Sequence, residues 1–345
     1  FIPSHGPGAT ADRISGNQKY KIKSWHERLE PYFPMDSYVV PSSTAAAYGG
    51  LEDVELVKPA DELPVRVITV PKTQKAPRII AIEPVWMLNT QHAISSWLVS
   101  KLESHRLTAG HLNFRDQSIN QRLTKRASVD GTMATLDLSA ASDRVPLSLV
   151  SLMLDSVPDL RDAILACRTA KAQLPGGDIL TLKKFASMGS ALCFPIEAMY
   201  FYTLCVKALI EERSEPVCLS SVIRAARMVY VYGDDILVPT DSTYSVIATL
   251  QRYNCKVNSN KSFYKGKFRE SCGLDAYDGY VVTPTYVRTM PPLHRRNVGE
   301  LISWTVTSNS LYLRGYWQAA DYMISRVEKL LGELPLVGKD SPILG

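Results

Sequence analysis

Met228-Val-Tyr-Val-Tyr-Gly-Asp-Asp-Ile-Leu-Val-Pro239 sets two adjacent carboxylates, Asp234 and Asp235, between two short apolar runs. The flanking Val229, Tyr230, Val231 and Ile236, Leu237, Val238 are β-branched, aromatic or aliphatic, and a Gly-Asp connection between such runs predicts a tight hairpin. Two acids at the tip of a buried hairpin repel each other unless a proton or a cation is shared, and a divalent metal meets that need. Met133-Ala-Thr-Leu-Asp137 predicts a second strand ending in a carboxylate. Strand-borne acids far apart in sequence can be neighbours in one sheet, where they supply the oxygen ligands that Mg²⁺ prefers. Taken alone, Tyr232-Gly-Asp-Asp235 is equally an ordinary solvated turn.

Three other stretches carry chemistry. Apolar runs at Val65–Val70 and Ile79–Ile82 enclose a loop with Lys72, Lys75 and Arg78, with Arg66 nearby. Several cations between two strands suit a triphosphate, although a solvated hairpin tip has the same composition. Phe185-Ala-Ser187-Met188-Gly189-Ser190 precedes a long apolar segment, where Ser and Gly bring hydroxyl and N–H donors close to a ligand or simply cap a helix. Lys256 to Lys267 is basic with Phe263 and Tyr264 interleaved, a composition that follows a nucleic-acid backbone or lies solvated on the surface.

The elements that must hold these residues belong to a folded chain. Its 345 residues are 46% hydrophobic and 21% charged, which excludes disordered and fibrous classes, and a net charge of +5 is compatible with a polyanionic partner without requiring one. The six cysteines lie far apart with no C-x-x-C pair and read as reduced thiols of a cytoplasmic protein. Met188 to Ile210 is about the length of a membrane span, but Pro195, Glu197 and Lys207 make it a buried core helix instead. Residues 84–108 and Ser242–Tyr253 read as helices, and a helix follows Pro146. His111 to Lys125 reads as polar connecting structure, Phe268–Gly273 with Tyr280–Val287 as a hairpin, and Trp317, Ala320, Ile324, Val327, Leu331 as a helical stripe. Residues 1–50 are irregular. The chain opens on Phe1 instead of Met and stops at Gly345, which reads as a fragment or a processed product.

In order, the basic loop, Asp137-Leu-Ser-Ala-Ala-Ser-Asp143, Ser187-Met-Gly189, Tyr232-Gly-Asp-Asp235 and Phe268-Arg-Glu-Ser-Cys-Gly273 resemble the viral RNA-dependent RNA polymerases, most closely the replicase catalytic beta subunit of the leviviruses, the positive-strand RNA bacteriophages. His5-Gly-Pro-Gly-Ala-Thr10 is similar to a levivirus replicase segment as well. The resemblance implies an α+β right-hand polymerase. Its parts would be an irregular segment (1–60), fingers with the basic loop (61–130), palm with the first acid (131–160), a fingers insertion (161–185), the remaining palm (186–290) and a partial thumb (291–345). It implies that Asp137, Asp234 and Asp235 hold two Mg²⁺ ions, with Mn²⁺ able to substitute. Arg66, Lys72, Lys75 and Arg78 would contact the incoming NTP. Asp143, Ser187, Met188 and Gly189 would surround its ribose, and Lys261 would donate a proton to pyrophosphate. Ser190 and Cys193 stand where phage replicases usually carry Asn and Thr.

The activity so implied is template-directed RNA synthesis by two-metal nucleotidyl transfer, replicating a positive-strand viral genome in the cytoplasm of a bacterial host. Its partners would be RNA template and product, NTPs and host translation proteins, with no membrane. A reverse transcriptase-like DNA polymerase and a polymerase-like RNA-binding scaffold are the alternatives. Gly233 and Asp143 favour ribonucleotides, and retention of all three acids with the basic loop disfavours a scaffold.

Overall fold

A computed structural model describes residues 1–39, 54–71, 77–338 and 341–345, so Lys72 and Lys75 lie outside the described residues. The chain divides into two compact units, Phe1–Val281 and Val282–Gly345. Helices and mostly antiparallel sheets occur together, an α+β fold.

Strands of the first unit are β1 (Ser24–His26), β2 (Glu55–Val57), β3 (Val65–Val70), β4 (Arg78–Ile82), β5 (Met133–Leu136), β6 (Lys171–Gln173), β7 (Ile179–Thr181), β8 (Tyr230–Tyr232), β9 (Asp235–Pro239), β10 (Phe268–Ser271), β11 (Leu274–Tyr277) and β12 (Tyr280–Val281). Its helices are α1 (Met35–Tyr38), α2 (Val85–Ser104), α3 (Ser118–Asp130), α4 (Leu147–Met153), α5 (Pro158–Cys167), α6 (Cys193–Glu212), α7 (Leu219–Ala226) and α8 (Thr243–Arg252). A three-stranded sheet runs β5-β9-β8, a four-stranded one β4-β3-β6-β7, and a third β10-β11-β12. Against β8 and β9 packs α6, which buries Ile196, Phe201, Cys205 and Leu209 in a core shared with Leu136, Val231 and Ile236. Burial of this many large side chains, at roughly 1.5–3 kcal/mol each, is what fixes the sheet on the helix. By length and composition α6 is also long and apolar enough to cross a membrane, and 78% of that stretch is buried inside the protein.

Two expectations need correction. His111 to Lys125 is not all connection, because α3 begins at Ser118. Its inward face is Asn120, Thr124, Ala127 and Ser128, with helical spacing but no large apolar side chain, so the apolar pattern that marks most buried helices is missing. The second correction concerns the hairpin after Phe268. It closes within β10 and β11, and the sheet ends at Val281, three residues before Pro284, which has no N–H to extend a ladder.

The second unit contains α9 (Val298–Leu313) and α10 (Trp317–Leu331), packed through Leu301, Trp304, Met323 and Val327. Its inward stripe is Ala320, Met323 and Val327, so Met323 is buried in place of the expected Ile324, and Trp317 and Leu331 at the two ends of the expected stripe are exposed.

Candidate active site

Strand pairing brings the acids together. β5 runs antiparallel to β9 and the pairing ends with Leu136 opposite Ile236, so the residues that follow and precede them, Asp137 and Asp235, share that sheet end, where the charge of Asp137 acts on Asp235. On the other side of β9, Tyr232 pairs with Asp235, leaving Gly233 and Asp234 as the hairpin turn. Gly233 has φ +61°, and a Cβ there would lie 2.3 Å from the Phe194 ring in the first turn of α6. Only glycine satisfies both the backbone and that close approach, so the turn carrying Asp234 is pressed onto α6.

Asp137 and Asp235 are held by neighbours that the sequence did not mark as their partners. Asn258 Nδ2 donates to Asp137 Oδ2 at 2.8 Å, and the Asn258 amide donates to the Asp137 carbonyl at 2.9 Å. Ser271 Oγ donates to Asp235 Oδ1 at 3.2 Å. The strand of Ser271 is fastened to β5 by fully buried Arg269, whose guanidinium donates to the carbonyls of Met133 (2.8 Å), Gly266 (2.9 Å) and Phe268 (2.7 Å). Lys261 shares the loop of Asn258 and pairs with Glu270 Oε1 at 3.8 Å. That loop lies along β5, with Thr135 and Phe263 exchanging backbone hydrogen bonds.

Electrostatics at this sheet end disfavour full ionisation. Burial, reinforced by the charges of Asp234 and Asp137, pushes the Asp235 carboxyl up to about 6. Glu197, one turn into α6, is pushed up to about 8 by burial and then by Asp234. An acid inside an otherwise apolar helix must be paired or neutral, a signal that the sequence did contain. Among the described residues no group of three or more acidic, histidine or cysteine side chains stands ready to hold an ion unaided. Mg²⁺ ordinarily takes one or two carboxylates and fills its shell with water and substrate phosphates, so a self-repelling acid pair fits the ion without a complete protein cage.

The second cluster flanks the β4 edge. The Ala81 amide donates to the Met188 carbonyl at 2.7 Å, and a Cβ on Gly189, at φ +124°, would fall 2.0 Å from the Ala81 oxygen. The Ser187-Met188-Gly189 loop is therefore laid against backbone where no side chain fits. Gln91, buried in α2, anchors its end: Oε1 accepts from Ser190 Oγ at 3.0 Å and the Ala191 amide at 3.2 Å, while Nε2 donates to the Cys167 carbonyl at 2.8 Å. Arg78 begins β4 and is exposed. Arg66 lies on adjacent β3, its Nε buried without a hydrogen-bond partner among the described residues. Asp143 accepts from Lys184 Nζ at 2.5 Å, on the helical turn Ser142–Arg144 that packs against α6. The α6 start is thus the element common to both clusters, through Phe194 at the turn and through Ser187–Ser190 at β4.

The sequence matches the family model described as RNA replicase, beta-chain, over residues 47–312. The RNA-directed RNA polymerase subunit beta of Escherichia virus Qbeta is 36% identical over 223 residues, 65% of this chain and 35% of that protein. The subunit of the same name from Enterobacteria phage SP is 33% identical over 274 residues, 78% of this chain and 43% of that protein. The chain thus spans less than half the length of these relatives. The solved RNA-dependent RNA polymerase of a human picorbirnavirus aligns with a TM-score of 0.49 and 13% identity over 78% of this chain and 56% of its own.

Proposed function

The chain belongs to the RNA replicase beta-chain family, and on that premise we propose that it forms the catalytic part of an RNA-directed RNA polymerase, joining NTPs on an RNA template. The observation that supports the proposal is the β5–β9 pairing, which ends at Leu136 opposite Ile236 and so leaves Asp137 and Asp235 at the same sheet end, with Asp234 on the adjoining turn. In this reading β5-β9-β8 with β10 and β11 is the palm. The β4-β3-β6-β7 sheet belongs to the fingers, and the second unit to the thumb.

Asp137, Asp234 and Asp235 would hold divalent cations, Mg²⁺ or Mn²⁺. Such ions, when bound, lower the pKa of a primer 3′-hydroxyl and neutralise triphosphate charge. Asn258 and Ser271 fix the carboxylates' orientation, so little reorganisation remains at the moment of reaction. Arg66, Lys72, Lys75 and Arg78 bind the triphosphate, and Arg66 Nε has no acceptor among the described residues. Asp143 and Ser187–Gly189 meet the ribose, and Lys261 is the proton donor to the leaving pyrophosphate. Template and product RNA and host translation proteins are its partners in the cytoplasm of the bacterial host.

Primer extension on a homopolymer template, with and without Mg²⁺, tests the assignment. Asp234→Asn is expected to lower incorporation by orders of magnitude with an unchanged circular dichroism spectrum. Extension by that variant at a near-normal rate overturns the assignment. Incorporation of dNTPs in preference to NTPs overturns the choice of product.

A further inference from the structure

The second unit contains a cleft of about 400 Å³ between the 284–288 segment and one face of α9. Tyr286 and Arg288 line one wall. Ser303, Thr307, Ser310 and Arg314, spaced four, three and four residues apart, line the other, as one helical face continued past its end. No carboxylate is among the lining residues. Neither the Arg288 nor the Arg314 guanidinium has an ion pair or hydrogen-bond partner among the described residues, in contrast to Arg295, which donates to the Leu330 carbonyl. Thr307 Oγ1 donates to the Ser303 carbonyl at 2.7 Å and Ser310 Oγ to Val306 at 2.9 Å, so those two hydroxyls are turned onto their own helix. Two uncompensated cations in one concavity with no carboxylate in its lining call for an anionic oxygen ligand.

The rest of the wall narrows the ligand class. Tyr286 and Val306 are both more than half exposed, at 63% and 57%, and give the same cleft an aromatic face and an apolar floor. An inorganic anion has no use for these, whereas a nucleotide unit within a strand presents phosphate and base together. We propose that this cleft binds a segment of single-stranded RNA, with Arg288 and Arg314 on backbone phosphates and Tyr286 against a base. The choice of RNA over another polyanion rests on the polymerase reading; the anion site itself does not.

Fluorescence anisotropy with a labelled RNA oligomer, run on the full chain in EDTA across a salt series, tests it apart from catalysis. The double substitution Arg288→Ala with Arg314→Ala is expected to weaken binding at least tenfold. It should also reduce the slope of log affinity against log salt by roughly 1.4, since each single-strand phosphate contact contributes about 0.7. Tyr286→Ala should weaken binding with the slope unchanged. All three residues are exposed, so the variants should melt with the wild-type chain, which a thermal scan checks. Wild-type affinity and slope in the double variant overturn the proposal. So does displacement of the oligomer from this site by inorganic pyrophosphate at equal phosphate concentration, because the cleft would then be a free-anion site. Asp234→Asn is expected to bind the oligomer normally. Near-normal polymerisation by that variant with the cleft-dependent binding intact defeats the polymerase reading alone, whereas wild-type binding by the double variant with polymerisation lost in Asp234→Asn defeats the cleft proposal alone.

Discussion

Replacing Asp235 by Asn should make the cation-free protein more stable at alkaline pH while removing its activity. The carboxyl is pushed up from 3.8 to about 6, first by burial and then by Asp234 and Asp137. A folded pKa above the unfolded one means that the native state binds the proton more tightly. The penalty is therefore absent below about pH 4, grows between the two pKa values, and is constant above about 6. At 1.36 kcal/mol per unit, the two-unit gap makes ionised Asp235 cost about 3 kcal/mol of folding free energy at pH 8. Asn is neutral throughout and keeps an acceptor for Ser271 Oγ, but its amide nitrogen cannot accept as a carboxylate oxygen does. The bond from the Cys272 backbone amide is at risk, a loss of about 1 kcal/mol. The net gain is about 1–2 kcal/mol at pH 8, shrinking to nothing or reversing by about pH 4. Urea unfolding in EDTA at both pH values reads this directly. Adding Mg²⁺ or Mn²⁺ should stabilise wild type more than the variant, because a ligand stabilises only the state that binds it. A variant no more stable than wild type at pH 8, or equally favoured at both pH values, would refute the claim that this sheet end is electrostatically loaded.

Three further outcomes follow from the same geometry. Gly189→Ala puts a methyl 2.0 Å from the Ala81 oxygen at φ +124° and should cost about 3 kcal/mol or more in chemical unfolding, with nucleotide incorporation reduced. Gln91→Ala strands the Cys167 carbonyl and the Ala191 amide, about 1–3 kcal/mol each; the KM for NTP should rise more than kcat falls, as steady-state incorporation will show. Asn258→Ala frees Asp137 Oδ2 and should raise the Mn²⁺ concentration needed for half-maximal rate by about tenfold, the usual scale for losing a group that orients a metal ligand; an unchanged requirement would detach Asn258 from the site.

What could be read in advance was governed by periodicity. β5, β8 and β9 are short runs of β-branched and aliphatic residues with acids at their ends, so both their type and their shared sheet end were predictable from residue order. α6 was equally legible, being apolar throughout. Helix α3 was not, because its buried face is built from Asn120, Thr124, Ala127 and Ser128: Thr124 and Ser128 return their hydroxyls to their own helix, Asn120 Nδ2 donates to the distant Asp235 carbonyl at 3.5 Å, and none advertises burial by size. The supporting residues were hidden for a different reason. Asn258 and Ser271 matter only through tertiary contacts across more than a hundred and about thirty-five positions respectively, and no local pattern encodes a partner at that distance. Gln91 and Glu197 left a trace, as polar groups inside helices that bury their surroundings.

Pairing of β5 with β9 is counted in single residues, and alternate residues on a strand face opposite sides. An in-frame insertion of one codon between Met133 and Leu136, or between Ile236 and Val238, would therefore turn Asp137 or Asp235 away from its neighbour while leaving every amino-acid type in place. Insertion scanning of this gene should find those five junctions intolerant as a block, even where substitution of the flanking residues by other aliphatics is silent.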